Sequence, residues 1–149
     1  MKKQLLTILT LLMFVTISTV NFAGEDDIKK GSSKYQQIES NLLVGLESSN
    51  FGLRTSSAYM LGEMKSDKAV NPLTKMLRGE SDERARIAAA LALIKIGTDR
   101  SVYMVQMGAK FNESQRVRYL CEKFYYAYLL NNYNKQNVDK QIIYAELVD

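Results

Sequence analysis

Three arginines stand 32 residues apart, Arg54, Arg86 and Arg118, and two aspartates, Asp67 and Asp99, share the same interval. A guanidinium presents five donors in a planar fork, so each arginine can grip a carboxylate or a row of carbonyls. A second cationic set follows the same interval. Lys68, Asn71, Lys75 and Arg78 in one stretch correspond to Arg100, Tyr103, Met107 and Lys110 in the next. Cations with an aromatic ring and a thioether between them suit an acidic protein segment. That chemistry is recognition, and nothing else in the chain sets up a reaction. There is no His, which removes the commonest general base and metal ligand. The single Cys121 cannot form an intramolecular disulfide or a cysteine metal site, and it reads as a small buried apolar residue. No Ser/His/acid set, metal-ligand spacing or glycine-rich phosphate loop is present. Glu80, Asp82 and Glu83 cluster at a predicted helix start, where carboxylates favour the helix dipole. No catalytic, metal or cofactor-binding residue is assigned, and no cofactor is expected.

The elements that must position these residues follow from the repeat. Arg54, Ala58, Leu61, Asp67 and Val70 recur as Arg86, Ala90, Leu93, Asp99 and Val102. Self-similarity at a fixed period in this range marks stacked repeats. Cap and breaker residues divide the chain into helices joined by short connections, which makes neighbours antiparallel. Ser33 with Gln36 predicts a capping box for a helix to about Ser48, and Asn50 caps the next to about Lys65. Ser66 or Asp67 opens a third helix to Arg78, which Pro72 should kink. Ser81-Asp82 opens a fourth that stops at Gly97, and Thr98 or Asp99 opens a fifth to Lys110. Asn112 with Gln115 predicts a long helix to about Asn132, then a connector and a short closing helix over 136–147. The fourth helix is apolar on nearly every side, the mark of an element buried from several directions. Leu61, Leu73, Leu77, Ile87, Ala90, Leu91, Ile94 and Val102 are the predicted core. Tyr119, Phe124, Tyr125, Tyr126 and Tyr128 read as the cap of a terminal repeat. Sustained strict alternation is absent, so the predicted fold class is all-α.

The first residues carry an address. Lys2 and Lys3 precede an apolar stretch from Leu5 to Val20, and small Ala23 and Gly24 stand before Glu25-Asp26-Asp27. This is the pattern of a secretory signal peptide over 1–23, with a flexible linker over 24–33. An uncleaved anchor is the alternative, since a stretch of this length can just span a bilayer. The expected location is outside the bacterial cytoplasm, periplasmic or secreted. The whole chain has 20 basic and 16 acidic residues, net +4. Without Lys2 and Lys3 the balance is 18 to 16, or +2. The basic excess is therefore partly the address, and no nucleic-acid partner is implied. Membrane contact is expected only if the first segment is retained.

The segment Leu53-Arg54-Thr55-Ser56-Ser57-Ala58-Tyr59-Met60-Leu61-Gly62-Glu63-Met64, with Asp67-Lys68-Ala69-Val70-Asn71-Pro72-Leu73 after it, resembles the short HEAT repeat of the phycocyanobilin-lyase-like variety. The copy from Arg86 to Val105 keeps the Arg, the alanines, Asp99 and Val102 but lacks the Gly and Pro. A third start at Val117-Arg118 turns aromatic. The resemblance implies a right-handed α-α superhelix over 34–149. Its parts are a half repeat 34–48, repeats 51–78 and 82–110, and a capping repeat 113–147. It also implies a structural ladder in which Asp67 and Asp99 meet Arg86 and Arg118 of the following repeats. Second helices would line a concave face carrying Lys68, Asn71, Lys75, Arg78, Arg100, Tyr103, Met107 and Lys110. The function implied is a non-enzymatic binding or scaffold module for another protein. Alternatives are a bilin-lyase-like chromophore handler and a membrane-tethered accessory subunit of an envelope complex.

Overall fold

Local capping chemistry sets the helix boundaries in the computed structural model, which describes residues 30–146 and the side chains of 30–138. The signal segment and residues 24–29 of the linker lie outside the described residues. Lys30, inside that predicted linker, is tied down by Lys65 O at 3.2 Å and Asp67 at 3.5 Å. Helix α1 runs Ser33–Gly45, α2 Phe51–Glu63, α3 Val70–Gly79, α4 Glu83–Ile96, α5 Asp99–Phe111 and α6 Gln115–Glu146. A 3-10 turn at Asp67–Ala69 leads into α3. Among the described residues there is no strand. The all-α solenoid is confirmed.

The period read in sequence is also the period of the helices. First helices α2, α4 and α6 begin at Phe51, Glu83 and Gln115, each 32 residues on. Second helices end at Gly79 and Phe111, again 32 apart. Each start has its own cap: Asn50 Oδ1 accepts from Leu53 N, Asp82 Oδ1 from Arg84 N and Thr98 Oγ1 from Ser101 N. Gly97 ends α4 with φ 72°, the left-handed conformation that a residue with a Cβ resists.

Three local expectations are corrected. The first cap is Ser32, whose hydroxyl accepts from Tyr35 N, and the last is Ser114, which accepts from Val117 N. Pro72 does not kink a long helix. The 3-10 turn ends before it, and Pro72 sits in the first turn of α3, where its missing N–H is not needed. The connector at Asn131-Asn132-Tyr133-Asn134 does not form, and α6 runs unbroken for 32 residues. That run holds no Gly or Pro, and asparagines cost a helix only about 0.7 kcal/mol each.

Helix α4 is the centre of the stack, touching α2, α3, α5 and α6. Its Ala85, Ala89, Ala90, Ala92 and Leu93 have almost no exposure. Small residues set the spacing. A Cβ added at Gly62 of α2 would stand 2.8 Å from Ala92 Cα, so the two backbones meet at van der Waals distance there. Of the predicted core, Leu61, Leu73, Leu77, Ala90 and Val102 are buried. Ile87, Leu91 and Ile94 are only partly covered, because α4 has a narrow flank that no other helix reaches. Leu93, not Leu91, is the fully buried leucine of the second copy.

Leu93→Ala is expected to cost about 2–5 kcal/mol in denaturant unfolding, the range for an unfilled core cavity. A loss within experimental scatter would mean that α4 is not packed on both sides. Hydrogen bonds from the Arg84 side chain and backbone hold the Asp82 carboxyl down from 3.8 to about 2. Its contribution to the fold is therefore present above pH 4 and lost as pH falls toward 2. An NMR titration of Asp82 should show that acid midpoint, and a normal one would mean that the cap is open.

Candidate protein-interaction surface

The spaced arginines occupy one structural position. Each is the fourth residue of a first helix: Arg54 of α2, Arg86 of α4 and Arg118 of α6. Arg54 Nη1 donates to Ser48 O at 2.8 Å and Ser49 O at 3.0 Å, while its Nη2 meets Glu80 Oε2 at 3.2 Å. Arg118 Nη1 donates in the same way to Asn112 O at 2.7 Å and Glu113 O at 3.0 Å. Arg86 Nη1 donates to Asn112 Oδ1 at 3.2 Å. Glu80 and Asn112 are themselves 32 residues apart, so Arg54 and Arg86 each reach the loop before the next repeat, 26 residues on. These loops follow the C-terminal ends of second helices, where the helix dipole is negative.

The aspartate–arginine ladder is therefore corrected. Among the described residues no ion pair joins Asp67 to Arg86 or Asp99 to Arg118; Asp67 pairs with Lys30, and Asp99 is exposed. The reason is the antiparallel hairpin. The aspartates open the second helices and the arginines lie near the start of the first, so the two sit at opposite ends of helices about 18 Å long. Arg86 is 9% exposed and still bridges repeats, but through an asparagine.

The second helices α3 and α5 lie side by side and enclose an open cleft of about 520 Å³. Asn71, Lys75 and Arg78 of α3 line it with Arg100 and Met104 of α5. Among the described residues Lys75, Arg78 and Arg100 have no carboxylate partner, and no carboxylate lines the cleft. Arg78 Nη2 approaches Met104 Sδ at 3.7 Å. Beyond it a second groove has Met104, Met107 and Phe111 on its walls, and Phe111 is 76% exposed. Gly108 also lines this groove, and a Cβ added there would press on Cys121 Sγ at 3.1 Å, so α5 packs closely on α6 at this point. On the other flank of α3, Asn71 and Lys75 join a groove with Glu47, Arg54 and Glu80, where charges of both signs meet.

Five of the eight predicted face residues are thus gathered in the clefts: Asn71, Lys75, Arg78, Arg100 and Met107. Lys68 is not. Its ammonium neutralises Glu39 of α1 at 2.9 Å. Burial pushes the Glu39 carboxyl up, but hydrogen bonds from Ser66, at 2.6 Å, and from Lys68 outweigh it and hold it below the usual range. Tyr103 and Lys110 are exposed but line neither cleft. Their counterparts Asn71 and Arg78 face the next second helix, and among the described residues no second helix follows α5. Met104 and Phe111 have no role assigned from the sequence. Their counterparts Pro72 and Gly79 line the groove on the α1 side of α3, and Gly79 also borders the cleft toward α5. The 32-residue register therefore places Met104 and Phe111 on the wall nearer α3.

Cys121 is fully buried, and desolvation pushes its thiol up to about 11, so it stays a protonated packing group. In the tyrosine cluster, Tyr128 OH donates to Gly97 O at 3.2 Å and Tyr125 OH accepts from Gln106 Nε2 at 3.3 Å. Those two rings close the end of α4 and α5, while Tyr119 and Tyr126 point away from the body.

Stacked antiparallel hairpins, repeat-equivalent arginines and a shared second-helix face describe one kind of object. Residues 38–123, more than half of the chain, match the family model for HEAT repeats. The chain belongs to the HEAT-repeat family. A search of curated proteins found no match. HEAT repeats mediate protein–protein interaction, and the face of α3 and α5 is where this HEAT domain gathers unpaired charge.

The Arg86 bridge yields a measurable coupling. Arg86→Ala should destabilise the fold by about 1–3 kcal/mol, since it strips a charged hydrogen bond from a buried junction. In a double-mutant cycle with Asn112→Ala the two effects should not add; strict additivity would show that the repeats are not joined through this pair.

Proposed function

We propose that this protein is an exported, non-enzymatic HEAT module of the short, phycocyanobilin-lyase-like variety. Its role is to recognise another protein, and its partner presents an acidic segment. The observation that carries the proposal is the cleft between α3 and α5, with Lys75, Arg78 and Arg100 around it and no carboxylate within it. Cations held near one another without counterions raise the local potential and draw in acidic residues. Met104 and Met107 add an apolar, adaptable wall suited to a side chain of varying shape. The fold and the cleft together favour a binding module over a lyase, because the groove is lined by mobile charged side chains instead of an enclosed apolar wall.

Export rests on Lys2-Lys3, the apolar stretch from Leu5 to Val20, and the small residues Ala23 and Gly24. The compartment that follows is the bacterial periplasm or the exterior. N-terminal sequencing of the protein recovered from cells should begin near Glu25; recovery of Met1 in a membrane fraction would favour the tethered subunit instead.

Replacing both Lys75 and Arg100 by Glu should leave folding almost unchanged, because exposed charges contribute little to stability. It should weaken capture of the partner from an envelope extract by about tenfold or more and flatten the salt dependence of binding. Capture equal to that of the unaltered protein, at low and high salt alike, would move the binding surface away from this cleft.

A further inference from the structure

Helix α6 is 32 residues long, whereas the other first helices, α2 and α4, have 13 and 14. Its opening half is held by the body through Val117, Cys121 and Phe124, and among the described residues its last hydrogen bond to the body is from Tyr128 to Gly97. From Leu129 to Gln136 every side chain is exposed. The stretch from Leu129 to Glu146 therefore projects about 27 Å past its last anchor. A free helix of that length is marginal in water, because nucleation is costly and no packing rewards it.

The face of α6 turned away from the body is apolar along both halves. Tyr119, Tyr126, Leu130 and Tyr133 fall on one line at spacings of seven, four and three, with Leu129 beside them. Tyr119, Tyr126, Leu130 and Tyr133 are each more than half exposed, and Leu129 is 43% exposed. Among the described side chains, Glu122 flanks this stripe on one side and Arg116 and Lys123 on the other. A face whose charges nearly cancel repels its own copy only weakly, unlike the cationic cleft.

We infer that a second copy of this chain covers the stripe, with the two α6 helices packed antiparallel about a two-fold axis near Ala127–Tyr128. Antiparallel pairing lays the projecting half of each helix on the body-anchored half of the other, so both halves are covered by one self-complementary contact. A heptad register with Tyr119, Tyr126 and Tyr133 as one seam position and Glu122, Leu129 and Gln136 as the other places Tyr126 against Leu129 of the partner subunit. Five side chains from each copy, at about 100 Å² apiece for half-exposed groups, remove on the order of 1,000 Å² from water, the lower edge of a specific interface. The contact also extends the row of first helices from α2, α4 and α6 into the same row of the second copy, as one more stacking step of the solenoid. The clefts of α3 and α5 stay open, so a dimer offers two binding faces to one partner.

Sedimentation of the protein as recovered from cells should give a mass of twice the monomer across the micromolar range. Tyr126→Glu with Leu130→Glu should shift it at least tenfold toward monomer while Arg86-dependent stability of the repeats is retained. Leu129→Cys lies near the axis and should self-cross-link on oxidation. Tyr119→Cys should not, yet its mixture with Gln136→Cys should cross-link between chains. Buried Cys121 leaves that readout clean. A monomer at every concentration, a dimer untouched by the two glutamates, or self-cross-linking of Tyr119→Cys would each overturn the arrangement.

Discussion

The backbones of α2 and α4 meet at Gly62 and Ala92, where no room exists for another methyl group. That contact requires a glycine on one helix and an alanine on the other, and it brings the two first helices close enough to exclude water along their length. Leu61, Ala58, Ala89 and Leu93 are then buried together, and α3 and α5 are drawn in beside α4 as the second row. Removal of apolar surface from water on several sides of one helix supplies most of the stabilisation of a small solenoid. The clefts between second helices exist because the first helices set the spacing.

Junctions between repeats are a separate matter of polar chemistry. Each repeat leaves the carbonyls of a helix end and a loop facing the next first helix. From the fourth position of each first helix, Arg54 and Arg118 each satisfy two loop carbonyls, and Arg86 satisfies the side-chain oxygen of Asn112. Only an arginine has the reach and the forked donors to serve two carbonyls and a side chain at once. Lysines make single-point ties between elements, as in the Lys68–Glu39 pair that fastens α1 to the turn before α3.

The two surfaces not used in stacking differ in kind. The face of α3 and α5 carries cations with no carboxylate partner among the described residues, beside walls of methionine and phenylalanine. The outer face of α6 is aromatic, with few charges that nearly cancel. Charge steers an encounter with something of opposite sign, while a neutral apolar stripe rewards only close packing. A binding cleft and an assembly face can therefore lie on one small domain without competing.

Repetition was legible in the sequence because identical burial demands select similar residues at each turn of the stack: Ala58 and Ala90, Leu61 and Leu93, Val70 and Val102. Helix ends were legible too, since Asn50, Asp82 and Gly97 act on neighbours within four residues. Hence the sequence alone determined the helical class, the 32-residue period and most of the cationic cleft. What it left undecided depends on distance across the chain. Arg86 meets Asn112 and not an aspartate because antiparallel helices carry the two ends of a hairpin apart. Lys68 leaves the cleft because Glu39 comes from another element, and Met104 enters it because α5 turns that flank toward α3. The continuation of α6 past the body is a local matter instead: the weak preferences of its asparagines yield to helix propagation where no Gly or Pro interrupts.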